Sequence, residues 1–460
     1  MKFMSNLKFD KLTYLLIGII IAGICLRFYK LGYASLWLDE AATVFFSDRP
    51  IFEIINATAQ GEYNPPGFYI LEHFMLMIGR DEFTIRLIPA ITGCLTIPAF
   101  YQIGKVLRDR YTGVLMAALL AFSPFAIWYS ADARAYAPTL LIFCIMFLMY
   151  LKASKENLPY QWIAFGALGA LGWWFHLYFI VPFGILLLWE FSQRWDIKSV
   201  VLSGAVFTGL TAPLALITIN LFGLRTAAPP TYGIQGLELV KETALQFSGF
   251  FLWAMFVFLI LFILGISWLS MNDKPLTLMI YTILAITFGI SIYLSYRLPF
   301  LPRYIIYLLP FFYLGIACSI QWSKKYKGWL TIAMVALIVI LAVFPLCQYW
   351  SGESKDNWKA VASTLTNYTN EGDWVLSIPY YNAYPMRGYW DNQTDGTIDF
   401  SEPWSYQYIQ EHPHEKTYIV VSREDSMADL GDNAGPVWDW VTNNSKLLYS
   451  SGRIQIRVRT

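Results

Sequence analysis

Long apolar runs, set one after another and parted by short loops carrying lysine and arginine, leave this chain few ways to fold. They lie near 12–31, 83–104, 111–129, 134–151, 160–176, 177–193, 199–221, 245–270, 275–296, 303–322 and 328–348. Each approaches the roughly 20 residues that a helix needs to cross about 30 Å of hydrocarbon. The predicted fold class is therefore a polytopic α-helical membrane protein with about eleven transmembrane helices. Only 14% of its 460 residues are charged, against about 25% in an ordinary globular chain. Eighteen tryptophans suit a chain with rings gathered at two lipid–water interfaces.

Basic residues orient the helices. Lys2, Lys8 and Lys11 precede the first run, and Lys105, Arg108 and Arg110 follow the second. Lys152, Lys155, Arg194, Lys198, Lys274, Lys324, Lys325 and Lys327 fall in the loops of the same side. Positive loops stay in the cytoplasm, which predicts a cytoplasmic N-terminus, a cell-membrane location and an extracytoplasmic tail. The first run is too long for a signal core and lacks a small-residue cleavage site, so a retained helix is expected. Net charge of +1 without a basic block gives no reason to expect a nucleic-acid partner.

Two large segments then lie outside, the loop 32–82 and the tail 349–460. Within the loop, Ala41–Ser47 and Ile51–Gln60 are short and amphipathic, fit to lie in the interface plane. Gly67–Ile78 is apolar but too short to span, hence interfacial or re-entrant. The tail reads as a small α/β domain, with a helix over 358–368 and strands over 374–378, 417–422, 446–449 and 454–458. The expected domains are 1–348, including the loop, and 349–460. All five cysteines lie in or beside apolar runs without a C-x-x-C pair, so neither a zinc site nor a disulfide framework is indicated. Gly166, Gly169 and Gly172 predict close helix packing through small residues.

The residues able to carry chemistry gather at one side. Asp39 and Glu40 stand together in Ser35-Leu36-Trp37-Leu38-Asp39-Glu40, where a base could take a proton from a hydroxyl; Asp39 also suits the N-cap of a helix starting at Glu40. A group transfer on that side needs its donor brought through the bilayer, most naturally as a lipid-linked phosphate. Arg86, Arg134 and Arg303 are candidates for the donor phosphate, since a guanidinium fork matches phosphate oxygens. Each arginine equally suits a helix-end anchor. Asp132, Glu62, Asn64, His176 and Tyr304 are candidate site-lining residues; a lone histidine such as His176 is as readily structural. No residue pattern demands a resident cofactor; the sequence leaves a divalent metal open.

Taken in order, Trp-Leu-Asp-Glu, Asn-Pro-Pro-Gly-Phe-Tyr, Arg-Leu-Ile-Pro-Ala, Tyr-Ser-Ala-Asp-Ala-Arg-Ala-Tyr, Phe-His-Leu-Tyr and Pro-Arg-Tyr make a pattern that resembles the GT-C membrane glycosyltransferases. The likeness is to the family-39-like branch of protein O-mannosyltransferases and aminoarabinose transferases, over roughly the first 350 residues. It implies an inverting transferase moving a sugar from a polyprenyl or dolichyl monophosphate to a hydroxyl of a protein, lipid or glycan acceptor. By the resemblance Asp39 is the loop acid that activates the acceptor, with Glu40 its neighbour. Arg86 matches the arginine opening the second helix, Asp132 and Arg134 a second acidic turn, and Arg303 an arginine facing the donor phosphate. Two positions depart from the pattern: Asp132 stands where the family commonly has Glu, and Asn64 replaces a His or Lys before the Pro-Pro pair. A lipid or glycan flippase is the alternative, although it gives no task to an outer loop bearing paired acids.

Overall fold

The computed structural model describes residues 10–60, 62, 64–226, 230, 232–323, 328–351, 355–370, 373–390, 397–399, 417–422 and 434–459. Of the orienting lysines, Lys2, Lys8, Lys324, Lys325 and Lys327 lie outside the described residues. The chain forms two compact units. One comprises Met1–Leu31, Pro50–Leu71 and Arg86–Ser351, the other Gly32–Arg49, Glu72–Ile85 and Gly352–Thr460. The loop 32–82, expected to belong as a whole to the helical domain, is thus divided. Its middle goes with the helices, and its two flanks go with the tail.

All eleven expected segments are helical. Among the described residues, seven helices are long and apolar enough to cross a membrane, or eight if one bent pair counts as a span. The seven are α1 (Lys11–Phe28), α6 (Leu87–Leu107), α9 (Tyr136–Glu156), α12 (Ile197–Arg225, apolar through Leu216), α14 (Leu252–Asn272), α15 (Lys274–Ser295) and Pro302–Ser323. The last starts as a 3₁₀ segment, Pro302–Leu308, and continues as α16 (Leu309–Ser323). The bent pair is α7 (Arg110–Ala121) with α8 (Pro124–Ser130), whose axes differ by 62°. Pro124 explains the break, because a proline there lacks the amide and its ring crowds the carbonyl four residues back. Shorter helices α10 (Pro159–Phe175) and α11 (Ile180–Arg194) flank a 3₁₀ turn at Leu177–Phe179. The molecule is a multi-pass helical membrane protein.

Between these spans lie α3 (Ile51–Ala59) and the start of α4 (Pro66–Leu76), which at 11 residues is too short to cross. The remaining helices of this unit are α13 (Glu238–Phe247) and α17 (Gly328–Ser351). Its core is aromatic. Phe143, Phe147, Phe311, Phe165 and Phe183 interlock at centroid distances of 5.0–6.0 Å, within the range where ring pairs attract. The glycine row of α10 packs as expected: a Cβ at Gly166 would meet the Ser203 carbonyl at 2.5 Å, and one at Gly172 the Phe179 ring at 2.2 Å.

The second unit carries α2 (Leu38–Ser47), α5 (Glu82–Ile85), α18 (Trp358–Tyr368), α19 (Ala383–Tyr389) and α20 (Ala434–Asn444) around a five-stranded sheet. Its strands are β1 (Trp374–Ile378), β2 (Thr397–Asp399), β3 (Thr417–Ser422), β4 (Lys446–Ser451) and β5 (Ile454–Arg459), in the order β2-β1-β3-β5-β4. β1 is parallel to β2 and β3, while β5 runs antiparallel to β3 and β4. Strand alternation sends Val375, Tyr418 and Val420 to one face with Trp358, Val361 and Leu365 of α18. Leu376, Ile378, Ile419 and Val421 go to the other, with Val437 and Val441 of α20. Central β3 is buried along its whole length, as a strand covered on both faces must be.

Candidate active site

In the helical unit the start of α4 meets the turn between α8 and α9. Gly67 lets α4 approach, because a Cβ there would sit 2.4 Å from the Trp174 carbonyl at the end of α10. Beside this contact lies a small cleft of about 10 Å³, room for about one water, lined by Asn64, Phe68, Tyr69, Arg134, Tyr136 and His176, together with Pro65 and Ala135. Three of the expected site residues, Asn64, Arg134 and His176, line it. Glu62 Oε1 accepts from the Asn64 amide at 3.1 Å, from Asn64 Nδ2 at 2.8 Å and from the Tyr69 hydroxyl at 2.8 Å. Burial first, then the Glu62 charge, pushes the Tyr69 hydroxyl well above its usual pKa, with Arg134 pulling the other way. Tyr69 therefore stays protonated and serves as a donor.

The opposite wall is cationic and aromatic. Arg134 is almost fully buried, and its amide closes the turn on the Asp132 carbonyl at 2.7 Å. Arg303, half-buried at the start of the 3₁₀ segment, lies over the Tyr136 ring at 5.2 Å. Tyr304 stacks on Tyr136 and sits 5.2 Å from the His176 ring. Both Arg134 and Arg303 exert their charge on His176. The Tyr178 amide donates to His176 Nδ1 at 3.3 Å, so in the neutral ring the proton sits on Nε2. Tyr129 turns its hydroxyl toward Arg303 and Asp132, and Asp132 is fully buried. Two guanidiniums, three tyrosines and an imidazole thus gather in one small, partly apolar region.

Arg86 is placed differently from the expectation. It is 1% exposed and donates Nη1 to the Leu31 carbonyl at 2.9 Å, and it does not line the cleft. Its geometry is that of a residue tying the end of α1 to the start of α6.

In the other unit, the loop acids part company. The helix begins at Leu38, two residues before the expected start, so Asp39 lies inside its first turn rather than at its N-cap. Asp39 is half-buried, and carboxylates in a first turn are favoured by the helix dipole. Glu40 turns inward instead. It is fully buried, accepts from the Trp37 amide at 3.3 Å and pairs with Lys355 Nζ at 2.9 Å. Around it, Ser35 Oγ donates to the Asp356 carbonyl at 2.7 Å and accepts from the Trp358 amide at 3.0 Å. The Tyr389 hydroxyl accepts from the Leu36 amide and donates to Glu82 Oε1, both at 2.7 Å. The Asp39 turn is therefore held from four sides by residues of the tail.

Sequence reasoning missed Lys355 and Tyr389, which no motif marks, and Glu72. The Glu72 carboxyl is fully buried in α4 and has no hydrogen-bond partner among the described residues; burial, then the neighbouring Glu40 charge, pushes its pKa up to about 8. Tyr69 and Tyr136 were within quoted motifs, but only their contacts give them a place in the cleft. Among the described residues no group of three or more metal-ligating side chains occurs.

Residues 63–219 match the family model described as dolichyl-phosphate-mannose-protein mannosyltransferase. Over 97% of its length the chain superposes on 98% of ArnT from Cupriavidus metallidurans in the apo state, at TM-score 0.62 and 13% identity. ArnT bound to undecaprenyl phosphate gives 0.61 at 14% identity, with the same coverage. The Archaeoglobus fulgidus oligosaccharyltransferase in its apo form gives 0.59 at 11% identity, over 98% of this chain and 75% of that one. The chain has the GT-C fold. At these identities the structural likeness is one of fold, and the family match adds the stretch from the Asn-Pro-Pro segment through α12. The cleft and its neighbours described above lie within that stretch, except for Glu62, Arg303 and Tyr304. No curated protein matches the sequence.

Proposed function

We propose that this GT-C protein is an inverting glycosyltransferase that takes a sugar from a polyprenyl or dolichyl monophosphate and transfers it to an acceptor hydroxyl. The observation that carries the reading is the convergence of Arg134 and Arg303 on His176, beside the cleft that Arg134 and His176 line with Asn64 and Tyr69. A phosphate is the ligand whose charge and oxygens such donors suit, and guanidiniums hold it by paired hydrogen bonds. The solved ArnT structure with undecaprenyl phosphate supports a lipid phosphate as the class of ligand.

In the proposed reaction the Asp39 carboxylate takes the proton of the acceptor hydroxyl. The acceptor oxygen bonds to the anomeric carbon as the bond from that carbon to the phosphate oxygen breaks. The lipid monophosphate leaves with the electron pair, and Arg134 and Arg303 stabilise its charge. Positioning and preorganised charge supply most of the acceleration. Glu40 enters as a positioning residue for the Asp39 turn, and Arg86 as a tie between helices. The active face is extracytoplasmic and the membrane is the cell membrane, in keeping with the basic loops.

The test uses the full chain in lipid with a panel of radiolabelled polyprenyl-phosphate sugars and hydroxyl acceptors. Release of label should fall by about 10² to 10⁴-fold in Asp39→Asn, the usual contribution of a general base, with thermal stability kept. Transfer by Asp39→Asn at the wild-type rate would remove Asp39 from the reaction. No release from any donor by the wild type would overturn the transferase reading itself.

A further inference from the structure

We propose that Arg27, in the first helix, is a positioning residue: it locks the break between α7 and α8 and so sets the turn that carries Asp132 and Arg134. The inference rests on the reading of that turn as part of a transferase site. It begins with Pro124, which forces α7 to stop and deprives the Leu120 carbonyl of the amide four residues on, leaving it the amides of the bend, Ser123 among them at 3.3 Å. Ser123 restarts the chain by capping α8, its Oγ accepting from the Ala126 amide at 3.2 Å. Within a membrane, carbonyls at such a break call for a further donor group.

Arg27 is that group. Its Nη2 donates to the Leu120 carbonyl at 3.0 Å, and its Nη1 to Ala121 at 3.2 Å and to Gly23 of its own helix at 3.1 Å. Leu120 is the residue four before Pro124, so the carbonyl that proline crowds is one that Arg27 holds. The side chain is 1% exposed, and among the described residues no carboxylate pairs with it. A buried cation whose Nη groups go to carbonyls and whose Nε has no partner among the described residues is an expensive way to fill space, and in a membrane bundle such residues mark function more often than packing.

Two further observations tie Arg27 to the turn. A Cβ on Gly93 of α6 would meet Ser130 Oγ at 2.1 Å and Arg27 Nε at 3.2 Å, so that glycine makes room for both. Ser130 is the last residue of α8, two before Asp132. Moreover, Arg27, Gly93, Thr96, Tyr129, Ser130 and Ile306 line one small cavity of about 10 Å³, room for about one water. The joint is closely packed around Gly93, and the hydrogen bonds from Arg27 add direction to that contact in holding the bend. Tyr129, whose hydroxyl faces Arg303 and Asp132, is on the wall of the same cavity.

Arg27→Met and Arg27→Lys in the full chain in lipid test the idea, with undecaprenyl phosphate as the binding probe and donor kinetics beside it. Arg27→Met should cut kcat by about 100-fold, the scale of an ångström of misplacement, and weaken undecaprenyl phosphate binding by about tenfold through Arg134. Arg27→Lys should restore most of both, because an ammonium can donate to the same carbonyls. Equal kinetics and binding in wild type and Arg27→Met would overturn the inference. So would equal losses in the Met and Lys variants that track their thermal stability. Should Arg27→Met fail to fold, Gly93→Ala, which pushes on Arg27 and Ser130 without removing a charge, should show the same losses; wild-type behaviour would overturn the proposal. If the wild type binds the lipid but transfers no sugar, the transferase reading fails, while the binding comparison still decides the role of Arg27.

Discussion

Asp39 and Glu40 are neighbours in sequence, yet a helical step of about 100° sends them into different surroundings. Glu40 is committed to Lys355, and removing one partner of a buried pair leaves an uncompensated charge, at about 3–5 kcal/mol. Lys355→Met should therefore lower the thermal midpoint markedly. Adding Glu40→Gln should recover much of the loss, a coupling that a double-mutant cycle reads directly. Glu72 makes the complementary prediction. Its carboxyl pKa is raised to about 8 from 4.5, so the folded state binds the proton longer than the unfolded chain does. The stability contribution is fully present below about pH 4.5 and is lost as pH rises through about 8. Midpoints measured across pH 4–9 should decline over that window in the wild type, and the decline should be shallower in Glu72→Gln. An unchanged slope would mean that Glu72 is not protonated in the fold. The identity of the acids was legible in the sequence, but their division of labour was not, because Lys355 lies more than 300 residues away.

At the scale of elements, the apolar runs located each helix of the bundle, and alternation located four of the five strands. β2 is only three residues long, too short for alternation to register. The helix start at Leu38 was misplaced because Trp37 is a poor N-cap by type, and the inward-turned Glu40 supplies the capping contact instead. Gly67 is legible only as a glycine until the Trp174 carbonyl appears beside it. Gly67→Ala must push α4 away from α10, at about 1–3 kcal/mol for overpacking against backbone. It should lower the thermal midpoint and weaken binding of undecaprenyl phosphate in the adjoining cleft. A variant that keeps both would show that α4 has room to shift.

For the whole molecule, the tail forms one compact unit with the two flanks of the loop 32–82. A chain ending at Ser351 should keep the helical unit but lose Lys355, Tyr389 and the backbone of Asp356 and Trp358, which hold the Asp39 turn. Limited proteolysis should then cut within 32–49, and transfer should fall to the level of Asp39→Asn. A truncated chain that transfers normally would free the loop from the tail. The sequence alone determined the membrane class, the order of the helices, the α/β character of the tail and the residue types at the site. Those follow from local quantities: runs of apolar side chains, the period of alternation and the donors a phosphate requires. Only the tertiary structure decided that Arg134 and Arg303 converge on His176, that Arg86 and Arg27 serve carbonyls and that Glu40 is paired with Lys355. Each of these is a contact between residues far apart in the chain, and such contacts depend on how helices bend and approach, which no local pattern encodes.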